Sequence, residues 1–239
     1  MKSFNRLRRL NQVVSKFIDD MGLDNVIVAD IATDHGYLAE LLSRNDKISK
    51  VYATDISEKC LDKTNELIQR CGLKKIETRL GDGLQAVGKV DIAVLAGIGG
   101  YEIIKIIKKQ NRLYLGERKC DYFVFQPSKN AEDLRLFLIE ENAQICTDFI
   151  VFSGGRFYPI IVANLKNKND TEKTTFNIYF GKTNSLENKD FIRFLERQII
   201  DLKFLENIDE IDIENSNDLK TKNEIFKLAK ELINKSKGE

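Results

Sequence analysis

One short stretch of the chain combines residue types that could bind a small charged ligand. Residues 26–37 read V-I-V-A-D-I-A-T-D-H-G-Y, in which an apolar run ends at Asp30 and is followed by small residues, Asp34 and the only histidine. This pattern predicts a buried strand, a tight loop and the first turn of a helix. Such an arrangement presents backbone N–H groups and small side chains to a nucleotide-like ligand.

The charges in this loop indicate which ligand it binds. A loop that binds the pyrophosphate of a dinucleotide keeps acidic side chains away from its anionic ligand, whereas Asp30 and Asp34 flank this turn. A cationic ligand suits these carboxylates better. S-adenosylmethionine carries a sulfonium and an ammonium beside an adenosine, and we therefore expect it to be the cofactor.

Small and acidic residues also follow three later apolar runs, at Asp55, at Gly81 to Gly83 and at Ala96 to Gly100. The carboxyl ends of parallel strands line one crevice, so these residues are predicted to share one site with the first loop. Asp55 is expected to accept hydrogen bonds from the ribose hydroxyls. The alternative role for Asp55 is capping of the helix that begins near Ser57, whose hydroxyl can also cap it.

The remaining residues of this set are expected to contact the other parts of the cofactor. Asp82 and Gly83 are predicted to face the adenine ring, and Gly97 lets the methionine part and the substrate approach the backbone. A turn without a ligand and glycines that pack helices are the alternatives. The predicted cofactor-binding residues are Asp30, Ala32, Gly36, Asp55, Ile56, Asp82, Gly83, Ala96 and Gly97.

The elements that must position these residues alternate between strands and helices. An amphipathic helix over residues 4–18 comes first. Five strand-like runs follow, each separated from the next by a helical segment or a short polar break, and this order is typical of a parallel sheet with crossover connections. The predicted strands are residues 26–31, 50–54, 76–80, 91–96 and 122–126.

The last part of the sheet breaks this alternation. Two strand-like runs, residues 144–152 and 156–165, are divided only by Ser153-Gly154-Gly155, which is a hairpin signal. The last strand is therefore predicted to run antiparallel to its neighbour. An α/β fold with a mostly parallel, Rossmann-like sheet that ends in a hairpin is typical of class I methyltransferases and less usual for dehydrogenases.

From Lys166 onward the composition shifts to Lys, Asn, Asp and Glu. We expect a linker over residues 167–174, a short strand or extended arm over 176–180, and then two helices that form an antiparallel coiled-coil hairpin. The alternative is a solvated helical tail. The sequence thus predicts a catalytic domain over residues 1–165 and a helical domain over residues 166–239.

Composition excludes several classes of protein. The 239 residues and 27.4 kDa allow one full core and a small appendage. No apolar run approaches the roughly 20 residues of a membrane span, and the amino terminus lacks the apolar stretch of a signal peptide. We therefore expect a cytoplasmic protein without a membrane partner.

Cysteine spacing and net charge carry further expectations. The four cysteines, Cys60, Cys71, Cys120 and Cys146, lie far apart and have only one histidine to share a metal with, so we expect reduced, mostly buried thiols and no metal site.

The net charge of +1 requires that any polyanionic partner be bound by local basic patches. Since nothing in the sequence fixes the oligomeric state, a monomer is the working expectation.

Four motifs together resemble those of one known enzyme family. They are D-I-A-T-D-H-G-Y-L from Asp30, G-D-G from Gly81, A-G-I-G-G from Ala96, and Gln126-Pro127. In this order they resemble the bacterial tRNA (adenine(22)-N1)-methyltransferases over residues 4–165, and the charged tail resembles that family's coiled-coil domain. Two departures are Ala32, where the family usually has glycine, and Ser128, where asparagine is common.

The resemblance implies an S-adenosylmethionine-dependent enzyme that methylates N1 of an adenine in tRNA. Two alternatives stay open from the residues alone. One is a methyltransferase of a protein or small molecule, and the other is a non-catalytic RNA-binding protein with a degenerate cofactor site.

Methylation of N1 needs little acid–base chemistry, because neutral adenine already has a lone pair there. The enzyme must place N1 about 3 Å from the methyl carbon and exclude water. A carboxylate near the cationic product would favour the transition state, and Asp34 is the candidate, with binding of the cofactor ammonium as its alternative role. His35 is expected to hold the loop or contact the base.

Other residues are predicted to contact the substrate. Gln126 can form a hydrogen bond to the target base at the end of the fifth strand, beside Pro127 and Gly99, and Tyr37 or Tyr158 could stack on it. Basic clusters could contact tRNA phosphates, which would make binding strongly salt dependent. These clusters are Arg6, Arg8 and Arg9, then Lys105, Lys108, Lys109 and Arg112, and then Arg118 and Lys119.

Overall fold

A seven-stranded sheet organises the chain, which a computed structural model describes over residues 2–113, 119–206 and 216–238. The strand order is β3-β2-β1-β4-β5-β7-β6, with β7 antiparallel to both of its neighbours. This confirms the predicted Rossmann-like sheet and its antiparallel last strand. The strands are β1 (Val26–Ile31), β2 (Ile48–Asp55), β3 (Ile76–Leu80), β4 (Ile92–Ala96), β5 (Tyr122–Gln126), β6 (Ala143–Ser153) and β7 (Arg156–Lys168).

Helices cover both faces of this sheet. Because successive residues of a strand point to opposite faces, Ala29 and Ile31 pack in the core that holds α4 and α5, whereas Val28 packs in the core that holds α1 and α2. The strand order reverses between β1 and β4, which is where such sheets bind ligands. The helices are α1 (Lys2–Asp20), α2 (Tyr37–Ser43), α3 (Glu58–Cys71), α4 (Gly100–Leu113), α5 (Ala131–Glu140), α6 (Lys189–Glu206) and α7 (Ser216–Lys237).

The predicted hairpin joins β6 to β7. Gly154 and Gly155 have φ values of 60° and 85°, and Ser153 pairs with Arg156 across the turn. Two residues with positive φ form the turn whose twist matches antiparallel strands, which is why two glycines stand here.

Three predictions about local structure are wrong. Residues 176–180 form a single π-helical turn, Phe176–Phe180, because the two phenylalanines at its ends pack edge-on against Phe191. Ser57 stands at the N-cap of α3 but its hydroxyl makes no capping hydrogen bond. The thiols are not mostly buried: only Cys120 is buried, Cys60 is partly exposed, and Cys71 and Cys146 are exposed, although all four are free.

A third core joins the carboxyl-terminal helices to the hairpin. Ile150 of β6 packs with Phe180, Leu195 and Ala229, so the apolar faces of α6 and α7 lie on the rest of the molecule. This excludes the solvated tail for the residues that the structure describes. Strand β7 also continues to Lys168, past the predicted domain boundary at residue 165.

The free edge of β6 is covered by side chains from residues 183–184 and from the first turn of α6. Unpaired N–H groups on an edge strand invite association with other chains, and here three of them are satisfied within the molecule. The N–H groups of Asp148, Ile150 and Phe152 donate to Thr183 Oγ1 at 2.8 Å, Asn184 Oδ1 at 3.0 Å and Asp190 Oδ2 at 2.9 Å.

A buried ion pair strengthens the contact between the sheet and the carboxyl-terminal segment, which we call the junction. Arg135 of α5 donates through Nε and Nη2 to the two oxygens of Asp148, at 2.8 and 2.9 Å, and the exposed fractions of the side chains are 2% and 0%. Arg135 Nη1 also donates to the carbonyls of Ile178 and Tyr179. One guanidinium therefore connects the helix layer, the edge strand and the π-helical turn.

Two further observations concern the described ranges as a whole. None of their helices is both long enough and apolar enough to cross a bilayer. They contain no group of three His, Cys, Asp or Glu side chains arranged to hold a metal ion.

Candidate functional site

The loop between β1 and α2 has a strained backbone. Ala32, Asp34 and Gly36 have φ values of 59°, 53° and 72°. A side-chain carbon at Gly36 would lie 2.6 Å from Thr64, so only glycine fits there. For Ala32 and Asp34 this conformation costs on the order of 1–2 kcal/mol each, and such strain is typically stored at functional sites.

Asp30 lies beneath this loop and stabilises it. Its side chain is 2% exposed, and Thr33 Oγ1 donates to its Oδ2 at 2.7 Å. Burial raises the pKa of Asp30 from 3.8 to about 7, against the opposing hydrogen bonds from Thr33 and the Ala39 N–H and the nearby charge of Arg6. Asp30 does not line the cleft described below, and its predicted contact with the cofactor stays a prediction.

Asp55 is the carboxylate at the tip of β2. Its Oδ2 accepts a hydrogen bond from the Asp34 N–H at 3.1 Å, and its Oδ1 accepts one from the Ser57 N–H at 3.0 Å. These bonds fix the carboxylate and leave each oxygen a lone pair for another donor. The geometry suits a ligand with two neighbouring hydroxyl groups.

A cleft of about 430 Å³ opens beside Asp55 at the carboxyl ends of β1, β2 and β3. It brings together five of the nine predicted cofactor-binding residues, namely Ala32, Asp55, Ile56, Asp82 and Gly83. Ile56 is 75% exposed and offers an apolar surface at its mouth. Among the predicted residues outside the cleft, Ala96 ends β4 and Gly36 begins α2.

Sequence reasoning missed one wall of this cleft. Ile98, Glu102 and Ile106 line it from α4 and the preceding loop. Their helical spacing, which also includes Lys105 and Lys109, was a signal that this face of α4 turns toward the cleft.

Lys105 and Lys109, predicted to contact phosphates, therefore lie at the cleft. Lys109 Nζ is 2.6 Å from Asp82 Oδ2, and Lys105 Nζ is 2.7 Å from Glu102 Oε1. Each of these side chains is roughly half exposed or more, and such surface pairs contribute little to stability. A ligand that bonds to Asp82 can therefore displace Lys109 at low cost.

Asp34, His35 and Tyr37 form a cluster on the side of the loop that faces α3. His35 Nδ1 is 2.7 Å from Asp34 Oδ2, and its Nε2 is 3.2 Å from Lys63 Nζ. An ammonium only donates, so Nε2 accepts and Nδ1 carries the proton. Tyr37 stacks on the imidazole with ring centroids 5.9 Å apart. None of these residues lines the 430 Å³ cleft.

A second cluster lies on the other side of β1, at the ends of β4, β5 and β7. Gln126 is fully buried; its Oε1 accepts a hydrogen bond from Arg6 Nη1, and its Nε2 donates to the Pro127 carbonyl at 3.0 Å. The Arg6 guanidinium also lies 5.7 Å from the centre of the Tyr158 ring. The structure thus gathers four residues predicted to contact the substrate, although Arg6 comes from the far amino-terminal helix.

The glycines between β4 and α4 have two different roles. A side-chain carbon at Gly100 would lie 2.1 Å from the Asn130 carbonyl, and one at Gly99 would lie 3.3 Å from Lys129, so these positions pack closely against the loop after β5. Gly97, with φ of 81°, instead faces the Arg6 guanidinium. Close packing, one of the alternatives, therefore accounts for Gly100.

The other predicted basic residues are spread around the molecule. Arg9 is exposed and donates to Gln12 at 3.2 Å, Lys108 Nζ lies 5.3 Å from the Phe137 ring, and Lys119 donates to the Leu84 and Val87 carbonyls. The side chains of Arg112 and Arg118 lie outside the described residues.

A larger groove of about 670 Å³ lies between α1 and the β6–β7 hairpin. Arg9 is the one predicted site residue on its wall, and the carboxylates at the strand ends face the smaller cleft instead. We therefore assign the site by its chemistry and not by cavity size.

Comparison with known proteins agrees with this geometry. The chain is 27% identical over 161 residues to the tRNA (adenine(22)-N(1))-methyltransferase of Bacillus subtilis strain 168, over 66% of this chain and 65% of that protein. The chain spans between 61% and 66% of the length of the curated relatives it matches.

Solved structures match almost the whole chain. TrmK of M. capricolum, in complex with S-adenosyl-homocysteine, is 26% identical with a TM-score of 0.74 over 95% of this chain and 96% of that one. A protein of the NADB-Rossmann superfamily from Streptococcus agalactiae, 20% identical, shares the fold with a TM-score of 0.77 over 94% and 96%. A family model described as a methyltransferase domain matches residues 6–161, so this chain belongs to the methyltransferase domain family.

Proposed function

We propose that the chain uses S-adenosylmethionine to methylate N1 of the adenine at position 22 of tRNA. The carboxyl ends of the parallel strands β1 to β5 form one edge of the sheet, which we call the rim. The observation that carries this proposal is that two sites lie next to each other on this rim: the cleft with its ordered Asp55 carboxylate, and the cluster around Gln126 at the end of β5. The relative in Bacillus subtilis has this activity in its name, and the similar structure from M. capricolum contains S-adenosyl-homocysteine.

The residues of the cleft fit this cofactor. Asp55 holds two unused lone pairs for the ribose hydroxyls, Asp82 accepts from the adenine amine once Lys109 moves away, and Ile56 packs on the ring. Gly97, which has no side chain and faces the Arg6 guanidinium, lets the methionine part approach the backbone. When bound, S-adenosylmethionine supplies a methyl group whose C–S bond breaks as N1 forms the new N–C bond, leaving a thioether and a cationic base.

The chain's own residues orient the base and stabilise its charge. Gln126 holds the adenine edge, and Tyr158 or Tyr37 stacks on the ring, where alanine substitution in other systems costs about 1–3 kcal/mol per base. The base needs no proton removed from N1 before transfer, so placement and exclusion of water account for most of the rate. Asp34, with His35 as its partner, is the candidate to stabilise the positive charge that develops, although in this structure both side chains face α3 and not Gln126.

The tRNA contacts extend beyond the cleft. Arg9, Lys105 and Lys109 supply positive charge on both sides of the rim, so binding weakens steeply with salt. A catalytic domain over residues 1–165 and a helical domain over residues 166–239 that anchors on the hairpin complete the enzyme. A tRNA substrate corresponds to a cytoplasmic location, and no metal ion takes part.

Incubation with methyl-labelled cofactor and unmodified tRNA tests the proposal. We expect 1-methyladenosine at position 22 and no product on a matched tRNA in which guanine replaces that adenine. Label in protein or in small molecules, or the absence of 1-methyladenosine from every tRNA with the target adenine, would contradict the proposal.

A further inference from the structure

The amino-terminal helix brings one arginine into the substrate side of the rim. Arg6 donates to Gln126 Oε1 although 120 positions separate the two residues in the sequence. Its guanidinium lies 5.7 Å from the centre of the Tyr158 ring. A side-chain carbon at Gly97 would lie 3.6 Å from Arg6 Nη1. Arg6 therefore contacts or approaches the ends of β4, β5 and β7 together.

This position is costly for a cation unless acceptors compensate it. Burial lowers the pKa of Arg6, and the charges of Tyr158 and Asp30 oppose that shift. A partly desolvated guanidinium is stable only where fixed acceptors satisfy its donors. Arg9, three positions along the same helix, is exposed to solvent instead. The inward position of Arg6 thus needs a role inside the site.

Arg6 fixes the orientation of the Gln126 side-chain amide. Arginine has donors only, so the amide atom that faces it must be the oxygen. At the other end of the amide, Nε2 donates to the Pro127 carbonyl at 3.0 Å. Both ends of the side chain are therefore fixed. Since Gln126 is fully buried, the target base must displace groups that cover it to reach the remaining lone pair of Oε1.

We infer that Arg6 is a positioning residue, which orients Gln126 so that its Oε1 accepts a hydrogen bond from the N6 amine of the target adenine. This inference rests on the proposed function. A bond to N6 leaves the lone pair of N1 free to attack. It also strengthens as positive charge spreads from N1 to the amine, so it favours the transition state over the bound substrate.

Loss of Arg6 removes one of the two bonds that fix the amide and leaves only the bond to the Pro127 carbonyl. A rotated amide would point its NH₂ group at the N6 amine, donor against donor, or would donate to N1 and block its lone pair. The cofactor residues Asp55 and Asp82 lie in the other part of the rim, in the cleft of about 430 Å³. Because Arg6 also lies beside Gly97, substitution of Arg6 should slow methyl transfer more than it weakens cofactor binding.

The test measures single-turnover rates of the full chain on two RNAs. One carries adenine at the target position, and the other carries purine without the exocyclic amine. Purine is intrinsically less reactive, because it lacks the amine that shares the developing charge, so the wild type should prefer adenine by more than the factor of about ten that one ordinary hydrogen bond gives. In Arg6→Met the adenine rate should fall by about tenfold and the purine rate should stay unchanged, so the preference should fall by about tenfold.

The control is Lys16→Met on the same helix, because Lys16 is exposed and pairs only with the exposed Asp20 in the described structure. It should keep both rates. Affinity for S-adenosylhomocysteine should stay within about twofold in Lys16→Met, and in Arg6→Met it should fall by less than the adenine rate does. If Arg6→Met unfolds at the assay temperature, Arg6→Lys, which keeps the charge but not the planar donor group, should show a reduced preference for adenine.

Two results would overturn this inference. One is an adenine preference in Arg6→Met equal to that of the wild type. The other is an equal slowing on both RNAs, which would show a general structural role. A wild-type enzyme that methylates neither RNA would instead remove the proposed function, and the inference with it.

Discussion

Polar side chains keep spare hydrogen-bonding capacity at the rim of the sheet, whereas those at the junction with the carboxyl-terminal helices are fully paired. At the junction, Arg135 and Asp148 form a bidentate pair that is excluded from solvent, and two backbone carbonyls accept from the remaining Arg135 nitrogen. At the rim, Asp82 pairs with an exposed lysine, Asp55 keeps free lone pairs, and Ala32 and Asp34 hold a strained backbone. The junction is complete without a partner, whereas the rim is completed by a ligand.

This difference shows which substitutions should affect folding and which should affect binding. Buried ionic groups that lose a partner destabilise the fold strongly, because the remaining charge stays in a medium of low polarity. An exposed carboxylate at the rim, such as Asp82, can lose a partner to water at little cost.

Arg135→Met should destabilise the protein by about 3–5 kcal/mol, because it leaves the Asp148 carboxylate buried without its partner. Chemical denaturation measures this loss. The double variant Arg135→Met with Asp148→Leu should recover much of it. Arg197→Met, which removes an exposed ion pair with Asp201, serves as the control and should change stability by less than about 0.5 kcal/mol. Equal effects of the two single variants would contradict the account.

Asp30 should make stability depend on pH. The folded protein keeps a proton on this carboxyl up to its pKa of about 7, while the unfolded chain releases it near 3.8. Between these values the folded state binds more protons, so this group lowers stability as pH rises from about 4 to 7, by up to about 4 kcal/mol. Denaturation of Asp30→Asn across this range should lack that decline. Parallel curves for the two proteins would show that Asp30 titrates normally.

Asp55→Ala should weaken binding of S-adenosylhomocysteine by about 10–100-fold, since two hydrogen bonds to a charged acceptor are lost. Asp46→Ala is the matched control, because Asp46 is exposed just before the amino end of β2. Calorimetry measures both affinities, and Gln126→Ala should mainly slow turnover. If Asp55→Ala and Gln126→Ala changed affinity and turnover to the same extent, the two parts of the rim would not have separate roles.

Ala32→Gly should have the smallest effect. Glycine relieves the strain of φ at 59° but raises the entropy of the unfolded chain, so the net gain should be no more than about 1 kcal/mol. Thermal denaturation with and without S-adenosylhomocysteine measures it. A loss of stability would show that Ala32 is not strained.

The sequence predicted the sheet well because the conformation of each turn and each strand end depends on only a few neighbouring residues. The Gly154-Gly155 turn and the residues that follow each strand depend on backbone conformation alone, and the structure has them where the sequence placed them. The same kind of local signal gave a wrong prediction for the segment from Phe176 to Phe180. Its alternating pattern resembles a strand, but its contacts with Phe191 decide its conformation.

The site was only partly predictable for a similar reason. Asp55, Asp82 and Gly83 follow strands, so the sheet topology alone brings them to one cleft. The contact between Arg6 and Gln126 joins residues 120 positions apart, and helical periodicity assigned Arg6 to a solvated basic face. A distant contact of this kind has no signal in one sequence.

The central claim is that a cationic methyl donor binds in the cleft beside Asp55, and a crystal structure with S-adenosylhomocysteine tests it most directly. We predict that the ribose hydroxyls donate to the Asp55 carboxylate, that adenine lies beside Asp82 after Lys109 has moved, and that the sulfur faces Gly97. A ligand bound in the groove between α1 and the hairpin, with the Lys109–Asp82 pair still intact, would contradict the claim.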